Sequence, residues 1–584
     1  MTIRHDSRDP GHRFPAGAQP CKTEVRLFLE TDQSGAVVRF WMDGHAYLYK
    51  MNPAKGGFEY LFVLPEKPGI VWYYFIVGEN YLGNAGDNLG GEGEIYLHEP
   101  PSFQITVYDP AFLTPAWLGD GIMMQIMPDR FFRGGSEPCK GRLHGDWYGQ
   151  PEMRLTITGD NEADDFYGGD LPGIIEKLPY IKSMGVSVIY LNPIFLARSN
   201  HKYDTSDYMK IDPAFGTEAD FKALCAKARE MGIRVILDGV FSHTGADSVY
   251  FNKYGHFKSV GAYNSRLSRY ADWYEFHKWP NDYKSWWGFD TLPNVNKYSP
   301  GFRDFIVGAP DSVVAHWLRA GASGWRLDVA DELPMDFLAA LRERVKDVNP
   351  DAAILGEVWE DPSRKVAYGN LRSYCLGDTL DCTMNYPLRE AILDFLTGKA
   401  TAGACARVIE SLRENMPPAF FRSQMNLLSS HDKPRALTIL ADVGNMEPDR
   451  KYRYPIELTD SQYARGKRRL VAAWKLICAL PGMPCVYYGD EAGLYGMADP
   501  FCRAAYPWGR EDGELVGAFR EAAEFRRADR VLADGELALE APSDDLLIVR
   551  RTLNGETLTL CVNRGEEQAK YAGVQVPGES AEWI

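Results

Sequence analysis

The chain has 584 residues, a formal net charge of −16, and 45% hydrophobic and 25% charged residues. One core rarely organises that length, so about three domains are expected. The acidic balance argues against nucleic acid as a partner and suits a neutral or cationic ligand. No apolar run is long enough to cross a membrane. The opening MTIRHDSRDPGHRF carries no apolar leader, and the 10 cysteines form no CxxC or Cys/His metal pattern. They read as reduced core residues of a cytoplasmic protein.

From about Thr23 to Val107, the segments EVRLFLET, AVVRFWM, FEYLFVLP, VWYYFIVG and SFQITVYD are rich in β-branched and aromatic residues. Gly and Pro punctuate them, as between short strands. Residues 1–110 are therefore expected to form an N-terminal β-sandwich module. A Pro-broken linker, DPAFLTPAW, follows.

Over residues 111–530 the texture becomes strand, helix, strand, helix. The strands are GIMMQIMP, VSVIYLNP, IRVILDGVF, GWRLDV, AAILGEVW, LDCTMNYP, QMNLLSS and MPCVYYG. Helical spacing places Phe221, Leu224, Cys225, Ala228 and Met231 on one face, with Thr217 as N-cap and Gly232 as the stop. A second helix, LPGIIEKLPYIKSMG, is expected to bury Ile174, Ile175, Leu178 and Ile181. Eight such units predict an α/β fold, a (β/α)8 TIM barrel, with its chemistry at the C-terminal ends of the strands. Residues 244–300, after the third strand, are long and aromatic. They are expected to form an inserted domain B over the barrel mouth, with most aromatics serving as its core. Residues 531–584 return to strands, DLLIVRRT and TLTLCVN, and form a C-terminal β-domain.

Chemistry concentrates at strand ends. In GWRLDVADE, Arg326 and Asp328 are two apart and so face one side. The guanidinium is expected to hold Asp328 ionised, as a nucleophile requires; a structural ion pair would look the same. The apolar strand AAILGEVWE closes on Glu357, beside Trp359, where a carboxyl suits a general acid. Two carboxyls in unequal settings on neighbouring strands form the pattern of glycoside hydrolysis. NLLSSHD adds His431 and Asp432, ILDGVFSH adds Asp238 and His243, and NHKYD adds His201, Tyr203 and Asp204. Each is weak alone; five strands ending in polar clusters are hard to assign to packing.

These segments resemble the alpha-amylase family, glycoside hydrolase family 13. DGVFSH, GWRLDVADE, GEVWED and LLSSHD are similar to its four diagnostic regions, in order, and the likeness runs from Val107 to about Arg530. The N-terminal module and HKYDTSDY point to the neopullulanase, cyclomaltodextrinase and maltogenic amylase group. The resemblance implies that Asp328 is the nucleophile, Glu357 the acid/base and Asp432 the third carboxylate. It further implies that Tyr203, His201, Asp238, His243, Arg326, His431 and Trp359 bind or frame the substrate.

The chain also departs from the pattern. Ser242 stands where many amylases have a calcium-binding Asn. RFFRGGSEPCK places Arg133, Gly135, Pro138 and Cys139 where a calcium loop would need oxygen ligands, and Asp170 alone makes no site. No cofactor and no calcium are therefore expected. VADE replaces the group's usual VANE, and LPNVN replaces MPKLN.

The implied activity is retaining hydrolysis of α-1,4, and in some relatives α-1,6, glucosidic bonds in maltodextrins, cyclodextrins or pullulan. Two alternatives stay open: α-glucan transglycosylation and non-catalytic glucan binding. The partner is an α-glucan oligosaccharide, not nucleic acid or membrane. The N-terminal module could bind glucan, form a homodimer or pack on the barrel; the resemblance favours the homodimer.

Overall fold

The computed structural model describes residues 2–138, 141–155, 162–443 and 455–584. Cys139, in the stretch that lacks calcium-loop oxygen ligands, lies outside them.

The N-terminal region pairs a five-stranded and a seven-stranded sheet, largely antiparallel. Strand Glu24–Thr31 alternates between buried and outward residues along its length. Val25, Leu27 and Leu29 meet Val38, Phe40, Tyr73 and Phe75 between the sheets. Strands also precede Thr23 within the module: Ile3–Arg4 and Arg13–Phe14 pair with Glu24–Thr31. It is fastened to the rest of the chain through Glu414, which accepts from Ser7 at 2.7 Å, Arg8 at 2.8 Å and Arg13 at 3.0 Å.

Eight parallel strands form the barrel. They are β1 Met123–Ile126, β2 Val188–Leu191, β3 Arg234–Gly239, β4 Gly324–Leu327, β5 Ala353–Gly356, β6 Cys382–Thr383, β7 Met425–Leu427 and β8 Met483–Tyr487. Their order around the ring is 6-5-4-3-2-1-8-7, and a parallel bridge from Met384 to Met425 closes it. Alternation gives each strand two faces. Trp325 and Leu327 of β4 pack outward in the large core shared with the helices. Arg326 between them is fully buried on the inner face. The inner floor is apolar, with Met123, Val188, Ile236, Leu355, Met425 and Cys485 packed together. Gln125, Asp238, Arg326 and Glu357 follow toward the C-terminal ends, so the barrel is greasy below and polar above.

The helices follow local rules. Thr217 caps Glu218–Glu230 in a capping box with Asp220, and Gly232 leaves it at φ 70°. Asp170 caps Leu171–Ser183, which buries Ile174, Leu178 and Ile181. Ile175 is only half-buried, because it lies about 100° around the helix from Ile174. The connection from β5 to β6 is the exception: residues 357–381 carry no helix. In the insertion, Tyr270, Trp273 and Tyr274 are buried as its own core, while Tyr254 and Trp287 are exposed. The C-terminal region is a four-stranded antiparallel sheet, with Arg551 donating to the Ala479 carbonyl at 2.8 Å.

Among the described residues no helix is long and apolar enough to cross a membrane. All described cysteines are free thiols, and only Cys21 is not buried.

Candidate active site

Arg326 is the hub. Its Nη1 donates to Asp238 Oδ1 at 3.0 Å and Oδ2 at 3.1 Å, and to Asp328 Oδ1 at 3.0 Å. Its Nη2 lies 2.9 Å from Glu357 Oε2. One buried cation thus serves three buried carboxyls from β3, the end of β4 and the end of β5. Asp238 also accepts from Tyr190 at 2.6 Å and from Tyr203 at 3.0 Å.

Glu357 is held by two further donors. Trp359 Nε1–H reaches its Oε1 at 2.9 Å, and the backbone N–H of Val329 reaches its Oε2 at 2.8 Å. Val329 can do so because its backbone is left-handed, at φ 41° and ψ 63°, which is costly for a β-branched residue. Trp359 stacks on Tyr386 with ring centroids 4.6 Å apart, and the Lys433 ammonium sits 4.4 Å from its ring.

The sharing of Arg326 overturns one expectation. Burial pushes the Asp328 carboxyl well above the usual carboxylate range; Arg326 draws it down, while Glu357, Asp238 and Asp432 push it up. A single cation spread over three carboxyls does not offset their desolvation. Asp328 is therefore harder to ionise than an ordinary carboxyl.

A second polar group stands across the barrel, on β1, β2 and β7. Gln125 Nε2 donates to His431 Nδ1 at 2.9 Å and to Asn192 Oδ1 at 3.1 Å. With Nδ1 accepting, the neutral ring carries its hydrogen on Nε2. That nitrogen is 2.5 Å from Tyr203 Oη and 3.3 Å from Asp432 Oδ2. Burial holds His431 well below its ordinary pKa, reinforced by Arg503 and Arg326. The Tyr203 and His431 rings stack at 5.2 Å and 4°. His201 lies 5.8 Å from the Tyr203 ring, and burial lowers its pKa too. Asp432 is half-buried, with Arg503 Nη2 at 3.8 Å.

His243 bonds to its neighbours through both ring nitrogens. Its Nδ1 meets Ser242 Oγ at 2.9 Å and its Nε2 the Tyr203 carbonyl at 3.2 Å. Both ring nitrogens are used within the protein, and burial holds the ring at a pKa of about 3.

A model of the alpha amylase catalytic domain matches residues 125–531. The chain belongs to the alpha-amylase family. This family member is 38% identical to an amylopullulanase of Thermoanaerobacter thermohydrosulfuricus over 95% of its own length and 41% of that protein. It is 33% identical to a cyclomaltodextrinase of Geobacillus thermopakistaniensis over 91% of its length and 84% of that protein. The chain spans less than half the length of the amylopullulanases it matches. The ligand-free cyclic α-maltosyl-(1→6)-maltose hydrolase of Arthrobacter globiformis superposes with a TM-score of 0.69 at 31% identity, covering 81% of this chain and 99% of that one. The type III pullulan hydrolase of Thermococcus kodakarensis gives 0.68 at 26% identity, over 99% of both chains.

The departures also have structural counterparts. The Asp170 carboxylate accepts from the backbone N–H groups of Gly134, Ser136 and Gly173, at 2.8, 2.7 and 2.7 Å. Arg133 donates to the Tyr167 carbonyl at 2.7 Å and lies over the Trp147 ring. Among the described residues, no group of three or more His, Cys, Asp or Glu is placed to hold a metal ion. Asp331 turns away from the barrel, to Tyr374 Oη at 2.5 Å and Lys365 Nζ at 3.2 Å.

Reading the sequence alone missed Gln125, Tyr190, Asn192, Arg503 and Lys433. Gln125 and Tyr190 carried the same signal as Arg326, a polar group inside an apolar strand. Arg503 carried none.

Proposed function

We propose that the chain is a retaining glycoside hydrolase that cleaves α-1,4 glucosidic bonds of maltodextrins, with α-1,6 bonds, cyclodextrins and pullulan as related targets. The observation that carries this reading is the pair Asp328 and Glu357 on the two terminal nitrogens of one guanidinium. Such a bridge suits the short separation, about 5 Å, of a retaining pair. Relatives named for pullulan, cyclomaltodextrin and a cyclic maltosyl-maltose support an α-glucan substrate.

In this cycle Asp328 reacts as the carboxylate and Glu357 as the acid. Asp328 Oδ attacks the anomeric carbon as the glycosidic C–O bond breaks, and Glu357 gives its proton to the departing oxygen. Glu357 then takes a proton from water, whose oxygen bonds the anomeric carbon as the Asp328 ester opens. Arg326 stays cationic, since the carboxyls around it raise its already high pKa, and it steadies whichever carboxylate carries charge at each stage. Asp432 grips the hydroxyls of the sugar being cleaved, and Tyr203, held through its hydroxyl by His431 Nε2–H, stacks on its face.

Proton NMR of the first products from maltohexaose tests the reading. Newly formed α anomers that then mutarotate are expected; β anomers, or no hydrolysis, would overturn it. Products longer than the substrate would mark transglycosylation by the same intermediate.

A further inference from the structure

The indole that donates to Glu357 is set in place by the next two strands of the ring. Val358 is buried, whereas Trp359 itself is 41% exposed. The helix that follows β6, Tyr386–Leu396, brings the Tyr386 ring to 4.6 Å from the indole and 16° from parallel. The segment after β7 brings Lys433 Nζ to 4.4 Å from the indole centroid. A ring stacked so flat fills one face of the indole, which leaves the ammonium the other.

The same helix steers the lysine. Glu390 stands one turn beyond Tyr386, and its Oε1 lies 3.8 Å from Lys433 Nζ. Arg389 already donates to that oxygen at 2.6 Å, so the ammonium gains only a long contact from it. Burial lowers the pKa of Lys433; Glu390 and Asp432 raise it, and Arg389 lowers it further. Holding a half-buried cation against an indole costs hydration that an apolar side chain of the same length would not lose. Packing alone therefore does not account for a charge at this position.

Resting on the hydrolase reading above, we propose that Lys433 is a positioning residue for the acid/base carboxyl Glu357 and acts on it through Trp359. The ammonium over the indole face draws electron density from the ring. The Nε1–H, 2.9 Å from Glu357 Oε1, becomes a stronger donor. A stronger donor favours the carboxylate, the form that Glu357 reaches as its proton passes to the departing oxygen. Tyr386 and Lys433 together also fix the plane of the indole, so this hydrogen bond keeps its direction.

The test uses two aryl α-maltosides of similar shape, phenyl and 2,4-dinitrophenyl. Phenolate is a poor leaving group and needs the proton of Glu357; 2,4-dinitrophenolate departs without it. Lys433→Met is expected to lower kcat/KM about tenfold on the phenyl maltoside and to stay within about twofold on the dinitrophenyl one. The ratio of the two values does not depend on how much of a preparation is folded. Lys433→Arg, which keeps a cation over the ring, should restore most of the ratio. Trp359→Phe removes the N–H, and in that background Lys433→Met should change the ratio by less than about twofold. An unchanged ratio for Lys433→Met would overturn the proposal, as would an equal fall in the Trp359→Phe background. If the wild type cleaves neither maltoside, the hydrolase reading itself falls, and this role with it.

Discussion

Nη2 of Arg326 lies 2.9 Å from Oε2 of Glu357, while Nη1 of the same side chain bonds Asp328 at 3.0 Å. The arginine is therefore not the private partner of one carboxylate. It is a spacer that sets two carboxyls side by side while a third, Asp238, is stacked beneath. Only a planar fork can do this; an ammonium offers one point of charge. Arg326→Lys should therefore cost at least about 100-fold in kcat/KM although the charge is conserved. Steady-state kinetics on maltohexaose, with circular dichroism to confirm the fold, checks it.

Asp328 should weaken the fold that it serves. Its raised pKa means the native chain binds this proton more tightly than the unfolded chain. Below the unfolded value, near pH 3.9, both forms are protonated and there is no penalty. As pH rises from there through the raised native value, ionising the buried group costs stability. Asp328→Asn should thus abolish hydrolysis yet gain about 1–2 kcal/mol at pH 7. The gain should vanish below about pH 4. Thermal melts of both proteins across that range give the answer.

Gln125 fixes the tautomer of His431 by donating to Nδ1. Gln125→Glu would place an acceptor there, draw the proton onto Nδ1 and raise the ring's pKa. Nitrogen-15 NMR of labelled histidine should show the switch, and kcat/KM should fall about tenfold or more. An unchanged tautomer would mean that Tyr203 and Asp432, not Gln125, orient the ring.

Asp170 spends its carboxylate on three backbone N–H groups, and Arg133 lies beside Tyr167 and Trp147. Dialysis against a chelator should leave both activity and melting temperature unchanged. A loss restored by calcium would show that another part of the chain binds the ion.

Much of this site was legible because strand alternation is a strict rule. Trp325 and Leu327 had to face one way and Arg326 the other, and Glu357 and His431 closed apolar runs in the same manner. The remainder depends on contacts that folding alone creates. Arg503 reaches the His431 carbonyl at 2.9 Å across 72 positions of sequence. The Asp328 proton balance depends on burial and on carboxyls from three other strand ends. Val329 runs against its own backbone preference, and only the Glu357 carboxylate 28 positions away explains why. Lys433 reads as an ordinary loop residue until the Trp359 ring is seen beneath its ammonium.

We propose that Asp328 forms the glycosyl ester. Incubation with 5-fluoro-α-D-glucosyl fluoride, followed by peptic digestion and mass spectrometry, tests it directly. A fluoroglucosyl adduct on Asp328 that disappears as activity returns is expected. An adduct on another residue, or turnover of the reagent with no adduct in a rapidly quenched sample, would contradict it.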